Sequence, residues 1–214
     1  MGRDLFEREP IALGKGAAVL PGFASERAEA LLAAIPALEA VSPFRHLEVP
    51  GGRRMSVAIL NCGDLGWVSD RTGYRYDPVD PDTGRAWPAM PAAFRAVAAE
   101  AAAVLGFDGF APEACLVNRY ATGARMGLHR DRDEEDAVSP IVSVSLGVAA
   151  RFAWGGMARG DKVRRVRLEH GDVVVWGGSS RMAFHGVEAV AAAEHPATGA
   201  LRYNLTFRRV RRTG

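Results

Sequence analysis

The second half of the chain alternates short apolar runs with turn residues, a pattern that favours a β-rich fold. Runs of valine, isoleucine and aromatic residues are separated by glycine pairs at 155–156 and 177–178. The predicted strands are Cys115–Tyr120, Ile141–Gly147, Arg151–Trp154, Val163–Leu168, Asp172–Trp176 and Leu201–Arg209. Short strands with frequent turns are typical of a sandwich or barrel.

The first half of the chain carries the helical signals. Apolar residues recur at helical spacing between Pro91 and Leu105, and Gly106 is a suitable C-terminal stop. A shorter helix is predicted over Glu26–Ile35, with Ser25 as its N-cap and Pro36 as its end. The first residues of the chain are predicted to form a loop, followed by a short strand at 17–20.

Residues 42–90 are predicted to be irregular, because glycine pairs and Asp-Pro dipeptides are turn signals. Four aromatic residues in this stretch suggest a binding loop: Trp67, Tyr74, Tyr76 and Trp87. The alternative is that these rings only hold the loop against the core.

Composition narrows the class of protein. The chain has 214 residues, 48% hydrophobic and 24% charged, which fits one globular domain. Its two cysteines, Cys62 and Cys115, exclude a disulfide framework and a four-thiolate zinc site, and predict reduced thiols in the cytoplasm. A net charge of +2 does not by itself indicate nucleic-acid binding. The sequence shows neither a signal peptide nor an apolar run of membrane-spanning length.

The sequence His129-Arg130-Asp131 contains the first two candidate metal ligands. In an extended backbone, residues two apart point to the same side, so His129 and Asp131 can present an imidazole and a carboxylate together. His185 follows a later strand and completes a set of two histidines and one carboxylate, the facial triad of non-haem iron(II) oxygenases. The alternative is that the charged run HRDRDEED is a solvated loop.

The last predicted strand adds a second feature. Alternation puts Arg202, Asn204, Thr206 and Arg208 on one face and apolar side chains on the other. Two arginines inside a barrel would need an anionic occupant, and a dicarboxylate would satisfy them through paired hydrogen bonds. The alternative is an edge strand with exposed arginines.

Five segments, taken together, resemble the AlkB family of DNA alkylation-repair dioxygenases. They are NRYATGARMGLHRD, SPIVSVSLG, EHGDVVVWGG, RMAFHG and RYNLTFR, and the similarity extends back through LGWVSDRTGYRYDPVDPDTGRAWPAMP. The resemblance implies an α+β, mainly β fold: a double-stranded β-helix (jelly-roll) core with flanking helices and an N-terminal nucleotide-recognition lid. The expected division is an extension with the lid at 1–110 and the dioxygenase core at 111–214.

The resemblance also implies a role for each site residue. Fe(II) would be held by His129, Asp131 and His185. The cosubstrate 2-oxoglutarate would be held by Asn118, Tyr120, Arg202, Asn204 and Arg208, with O₂ as the second cosubstrate. The nucleotide would contact Trp67, Tyr74, Tyr76, Asp133 and Arg159. Two departures from the family pattern are Thr122-Gly123 in place of Pro-Gly, and Arg53 in the lid where an aromatic residue is expected.

The resulting hypothesis is a demethylase that repairs 1-methyladenine and 3-methylcytosine in single-stranded DNA, releasing formaldehyde, succinate and CO₂. The alternative enzyme has the same cofactors but acts mainly on RNA or another substrate. A binding module without turnover is less favoured, because a protein that is not an enzyme has no reason to retain the complete triad and both arginines. A zinc hydrolase is less favoured still, because it would leave Asn118, Arg202 and Arg208 without a role. RNA and double-stranded DNA are further expected partners, and a monomer without membrane contact is expected.

Overall fold

A computed structural model describes residues 9–211 and places most of the strands in two sheets. The larger sheet has seven strands, all antiparallel to their neighbours. In spatial order these are β1 (Ile11–Gly14), β2 (Ala17–Leu20), β13 (Val173–Trp176), β10 (Ile141–Gly147), β15 (Arg202–Arg208), β8 (Ala114–Tyr120) and β3 (Ala58–Gly63).

The smaller sheet has four antiparallel strands. In spatial order they are β12 (Arg164–Leu168), β11 (Ala150–Trp154), β14 (His185–Val187) and β9 (Met126–His129). Two hairpins precede the core: β4 (Gly66–Asp70) pairs with β5 (Gly73–Asp77), and β6 (Val79–Asp80) pairs with β7 (Arg85–Ala86). We call the β4–β5 pair the lid hairpin. Together the two sheets form the expected jelly roll.

Two helices, α1 (Ala28–Val41) and α2 (Ala92–Val104), pack on one face of the larger sheet. Phe94 of α2 meets Phe207 of β15 edge to face, with ring centroids 6.0 Å apart. The opposite face of the larger sheet packs on the smaller one through a second cluster that contains Phe152 and Trp176. The central strands of the larger sheet therefore have one face toward the helices and one toward the space between the sheets.

The prediction for α1 was wrong at both ends. A 3₁₀ turn, Ser25–Arg27, precedes the helix, and no side chain caps it. Pro36 lies inside the helix, which continues to Val41. Proline removes one backbone donor, but the buried stripe formed by Ile35 and Leu38 continues through it, and packing on the sheet maintains the helix. The α2 prediction was correct, and Gly106 has the positive φ of +79° expected after its end.

The segment 42–90, predicted to be irregular, contains β3 and both hairpins. Strand β3 is buried at every position and therefore lacks the alternation that identifies a half-exposed strand. The expected division at residue 110 stays a prediction about domains. In the described chain, β1, β2 and β3 come from the N-terminal side of that division and are part of the larger sheet.

No helix among residues 9–211 is long and apolar enough to cross a membrane. Arg212 lies outside the described residues.

Candidate active site

A cavity of about 750 Å³ opens between the two sheets, beneath the lid hairpin. All the residues predicted from the sequence for metal, cosubstrate and nucleotide line its wall. Strands β8 and β15 supply one side of the cavity, β9 and β14 supply the other, and the lid hairpin lies over it. The structure thus brings the predicted residues together, while their individual roles remain predictions.

His129, Asp131 and His185 form a compact group inside this cavity. One potential ligand atom from each of them lies within 4.8 Å of the others. Strands β9 and β14 pair so that His129 is directly opposite His185, and Asp131 follows two residues after β9. The Asp131 carboxylate lies 3.6 Å from Nε2 of His129 and 3.8 Å from Nε2 of His185.

Hydrogen bonds fix the tautomer of both histidines. Nδ1 of His129 lies 2.8 Å from the Gly127 carbonyl oxygen, and Nδ1 of His185 lies 3.1 Å from that of Ala183. Because a carbonyl oxygen only accepts, each Nδ1 carries a proton, and Nε2 is the ring nitrogen directed toward Asp131.

The pKa values of His185 and Asp131 favour the binding of a cation by this group. Burial, together with the charge on His129, lowers the pKa of His185 to about 4, so that the ring is neutral at neutral pH. Burial would raise the pKa of Asp131, but Arg208 and the two histidines outweigh it and hold the pKa below its usual range. Two imidazole nitrogens and one carboxylate are the donor set expected for Fe(II).

The predicted polar face of β15 is buried against the same cavity. Arg202, Asn204, Thr206 and Arg208 are each at most 7% exposed. Opposite them on β8, Tyr120 pairs with Arg202 and Asn118 pairs with Asn204, so these side chains share one face. The reverse face of β15 carries Leu205 and Phe207 into the helix-side core.

Both buried arginines keep donors without a partner among the described residues. Nη2 of Arg202 donates to the Ser145 hydroxyl at 2.8 Å, but its Nε has no acceptor. Arg208 contacts Asp131 through Nε and Nη2, whereas its Nη1 has no acceptor. Unsatisfied buried donors are unfavourable, so this face fits a ligand that brings carboxylate oxygens.

Comparison with known proteins gives the family. The sequence model of the 2OG-Fe(II) oxygenase superfamily matches residues 16–208. The chain belongs to that superfamily. It is therefore an enzyme that uses Fe(II), 2-oxoglutarate and O₂, a 2-oxoglutarate-dependent dioxygenase.

Several relatives of the superfamily are similar over most of their length. The alpha-ketoglutarate-dependent dioxygenase AlkB of Salmonella typhimurium is 53% identical over 94% of this chain and 92% of its own. The AlkB homolog of Caulobacter vibrioides is 43% identical over 95% of this chain and 91% of its own. The solved structure of OsALKBH1 superposes with a TM-score of 0.82, at 28% identity, and covers 94% of this chain and 100% of that chain.

The oxygenase cavity is flanked by the residues predicted to contact a nucleotide. Trp67 stacks on Tyr74 with ring centroids 5.4 Å apart, and its Nε1 donates to Asp133 at 3.0 Å. Arg159 donates to the Leu128 carbonyl oxygen at 3.2 Å and lies over the Phe184 ring. Tyr74 is 45% exposed, so the stacked pair is accessible from solvent.

Tyr76 occupies a different environment from that of Tyr74. Its hydroxyl donates to Glu134 at 2.6 Å, and burial raises the pKa of the phenol well above its usual value. Arg53, the departure from the family pattern, lines the cavity beside Val49 and Met55. Nδ1 of His46 lies 2.9 Å from the Met55 carbonyl oxygen.

Sequence reasoning missed two charged residues of this site. Arg181 and Glu134 form a buried ion pair at 3.1 Å, and both side chains are 2% exposed. Arg181 also donates to the carbonyl oxygens of Asp131 and Ser139. No local pattern marks them, because each is buried by partners distant in sequence.

Proposed function

We propose that this oxygenase is an oxidative demethylase of N-alkylated bases in single-stranded nucleic acid, with 1-methyladenine and 3-methylcytosine in DNA as substrates. The products are the repaired base, formaldehyde, succinate and CO₂. One observation carries the proposal: a single cavity holds the two-histidine, one-carboxylate group, the unsatisfied arginines and a stacked aromatic pair beside a carboxylate.

His129, Asp131 and His185 would hold the metal through the two Nε2 atoms and the carboxylate. When bound, Fe(II) supplies, with 2-oxoglutarate and O₂, the oxidising chemistry that hydroxylates the N-methyl group. The protein contributes the orientation of both imidazoles through the carbonyl groups of Gly127 and Ala183.

The direction of 2-oxoglutarate follows from the two arginines. Arg208 contacts Asp131, so it would bind the carboxylate at the metal end. Arg202 lies at the other end of the polar face, paired with Tyr120, and would bind the distal carboxylate. The amide of Asn118 and the Tyr120 hydroxyl provide further donors on the same wall, and Asn204 orders the face by donating to Ser143 at 2.7 Å.

The residues at the lid hairpin are suited to bind a planar, positively charged substrate. Trp67 and Tyr74 offer a stacking surface, and N-methylation makes 1-methyladenine and 3-methylcytosine positively charged. Asp133, held by Trp67, would favour that charge, and Arg159 would contact a backbone phosphate. A methyl group on the Watson–Crick edge is hidden in a duplex, so the base must be single-stranded or flipped.

An RNA substrate is the second candidate, because one relative, the nucleic acid dioxygenase ALKBH1 of Mus musculus, is named for nucleic acid in general and not for DNA; it is 32% identical over 59% of this chain and 32% of its own. Double-stranded DNA as a further substrate, a monomeric state and a cytoplasmic location complete the proposal. The cytoplasmic location is supported by Cys62 and Cys115, which are free thiols buried in the core.

Formaldehyde release tests the proposal. Oligonucleotides with one 1-methyladenine or 3-methylcytosine, in DNA and in RNA, are incubated with enzyme, Fe(II) and 2-oxoglutarate. We expect formaldehyde and succinate in equal amounts, and neither product from Asp131→Ala. Succinate production that no methylated oligonucleotide stimulates would contradict a nucleic-acid substrate, and the ratio of DNA to RNA rates separates the two candidates.

A further inference from the structure

Glu134 is a buried carboxylate that belongs to none of the predicted metal, cosubstrate or nucleotide sites. It follows Asp131 in a charged segment, yet its side chain is only 2% exposed. Burying a carboxylate is unfavourable unless opposite charges and hydrogen bonds compensate. Its position therefore depends on the partners around it.

These partners come from three separate parts of the fold. Tyr76 of the lid hairpin donates its hydroxyl proton to Oε1 of Glu134 at 2.6 Å. Nη2 of Arg181, which precedes β14, lies 3.1 Å from Oε2. Nε of Arg208, on β15, lies 3.2 Å from Oε1. Glu134 thus joins the lid hairpin to the two arginines beneath it.

Both arginines also contact Asp131, the proposed metal ligand. Nη2 of Arg208 lies 2.8 Å from the Asp131 carboxylate, and Nη1 of Arg181 donates to the Asp131 carbonyl oxygen at 2.9 Å. A change in the position of Glu134 would therefore shift the charges that face the metal end of the cavity.

The geometry of Arg208 shows what Glu134 controls. Its Nε contacts both Glu134 and Asp131, its Nη2 contacts Asp131, and its Nη1 is buried without a partner. Because the guanidinium group is planar and rigid, fixing Nε and Nη2 also fixes the direction of Nη1. Nη1 is the donor left for a carboxylate of the cosubstrate.

We propose that Glu134 is a positioning residue that couples the lid hairpin to 2-oxoglutarate through Tyr76 and Arg208. Nucleic acid that binds to the lid hairpin stabilises the Tyr76–Glu134 hydrogen bond. This hydrogen bond then holds Arg208 in the orientation that binds the cosubstrate. By linkage, each ligand then increases the affinity for the other by the same factor. This inference rests on the proposed function, because it takes Arg208 as a cosubstrate contact and nucleic acid as the ligand of the lid.

The first test needs no nucleic acid. Glu134→Gln keeps the size of the side chain and an oxygen that accepts from Tyr76, but removes the charge that orients Arg208. With Mn(II) in place of iron, titration calorimetry should show 2-oxoglutarate affinity lowered on the order of 10-fold, the value of one charge-assisted contact. Mn(II) affinity should change much less. The control is Glu39→Gln, which breaks a partly exposed pair with Arg119 on the outer surface.

The second test isolates the coupling and serves if Glu134→Gln does not fold. Tyr76→Phe removes one hydroxyl group. The dissociation constant for 2-oxoglutarate is measured with and without a single-stranded oligonucleotide that contains 1-methyladenine. The wild-type ratio should be about 5-fold or more, and Tyr76→Phe should bring it close to one. The control is Tyr203→Phe, whose ring packs against Phe44 on the other face of β15.

A purely structural role for Tyr76 would lower the melting temperature and leave that ratio unchanged. An unchanged ratio in Tyr76→Phe, or an unchanged 2-oxoglutarate affinity in Glu134→Gln, would overturn the inference. Wild-type protein that binds no oligonucleotide would instead refute the proposed function, and the Glu134→Gln titration would still decide whether Glu134 orients Arg208.

Discussion

Replacing Arg202 by methionine separates its contribution to binding from its contribution to stability. The side chain is 1% exposed and donates to the Ser145 hydroxyl and, at 3.4 Å, to the Val148 carbonyl oxygen. No carboxylate of the described residues forms an ion pair with it, and burial lowers the pKa of its guanidinium. Methionine has a similar length and carries no charge.

The two effects differ in size. A guanidinium–carboxylate pair has two charge-assisted hydrogen bonds of about 1.5–3 kcal/mol each, so Arg202→Met should weaken 2-oxoglutarate binding about 100-fold or more. In the free protein, removal of an unpaired buried charge stabilises the fold. Loss of the donors to Ser145 and Val148 destabilises it by about 1–3 kcal/mol each. We expect a change in the free energy of unfolding below about 2 kcal/mol.

Urea unfolding with and without 2-oxoglutarate measures both quantities, with Mn(II) present to prevent turnover. At 100 times the wild-type dissociation constant, the cosubstrate should stabilise wild-type protein by about 2.7 kcal/mol and Arg202→Met by about 0.4 kcal/mol. Arg119→Met is the matched control, because Arg119 lies on β8 but pairs with Glu39 outside the cavity. A variant that keeps the full stabilisation would refute the assignment of Arg202.

Three further expectations follow from the same structure. Asp131→Ala should abolish turnover of 2-oxoglutarate and weaken Fe(II) binding measured by calorimetry; full activity in this variant would exclude the proposed metal site. Trp67→Ala should weaken binding of a methylated single strand by roughly 5- to 150-fold, whereas a lower melting temperature with wild-type affinity would indicate a structural role only. Burial and the stacked His195 ring lower the pKa of His170, so the unfolded state takes up the proton first and stability should fall as the pH drops below 6.5. His170→Asn keeps an acceptor for the Gly147 amide but does not titrate, so it should reduce the fall in melting temperature between pH 7.5 and 5.5, to which buried His185 also contributes; an unchanged slope would contradict this.

The sequence was most informative where one face of an element differs from the other. Strand β15 was predicted because charged and apolar residues alternate, and α2 because its apolar stripe keeps helical spacing. Strand β3 was missed because both of its faces are buried, and β14 because it is only three residues long and contains a glycine. A periodic pattern identifies a strand only if its two faces differ in polarity and the strand is long enough to show the alternation. The faces of β3 do not differ, and β14 is too short.

The candidate site shows a similar limit. His129, Asp131 and His185 could be proposed because their residue types are specific for metal chemistry. Glu134 could not, since a glutamate in a charged run normally faces solvent. Its burial depends on Tyr76, Arg181 and Arg208, which the fold brings together from distant segments. The spacing of residues near Glu134 in the sequence cannot predict these contacts.

The position of β15 in the larger sheet has a consequence for how the protein folds. This strand is the last along the described chain, yet it lies between β10 and β8 in the interior of the sheet. During synthesis, β8 and β10 emerge earlier and cannot complete their hydrogen bonding until β15 inserts between them. Such non-local pairing is slow, typically milliseconds to seconds, and exposes unpaired strand edges meanwhile. We therefore expect the refolding rate to be limited by insertion of β15, so that the binding site for 2-oxoglutarate forms in the final folding step.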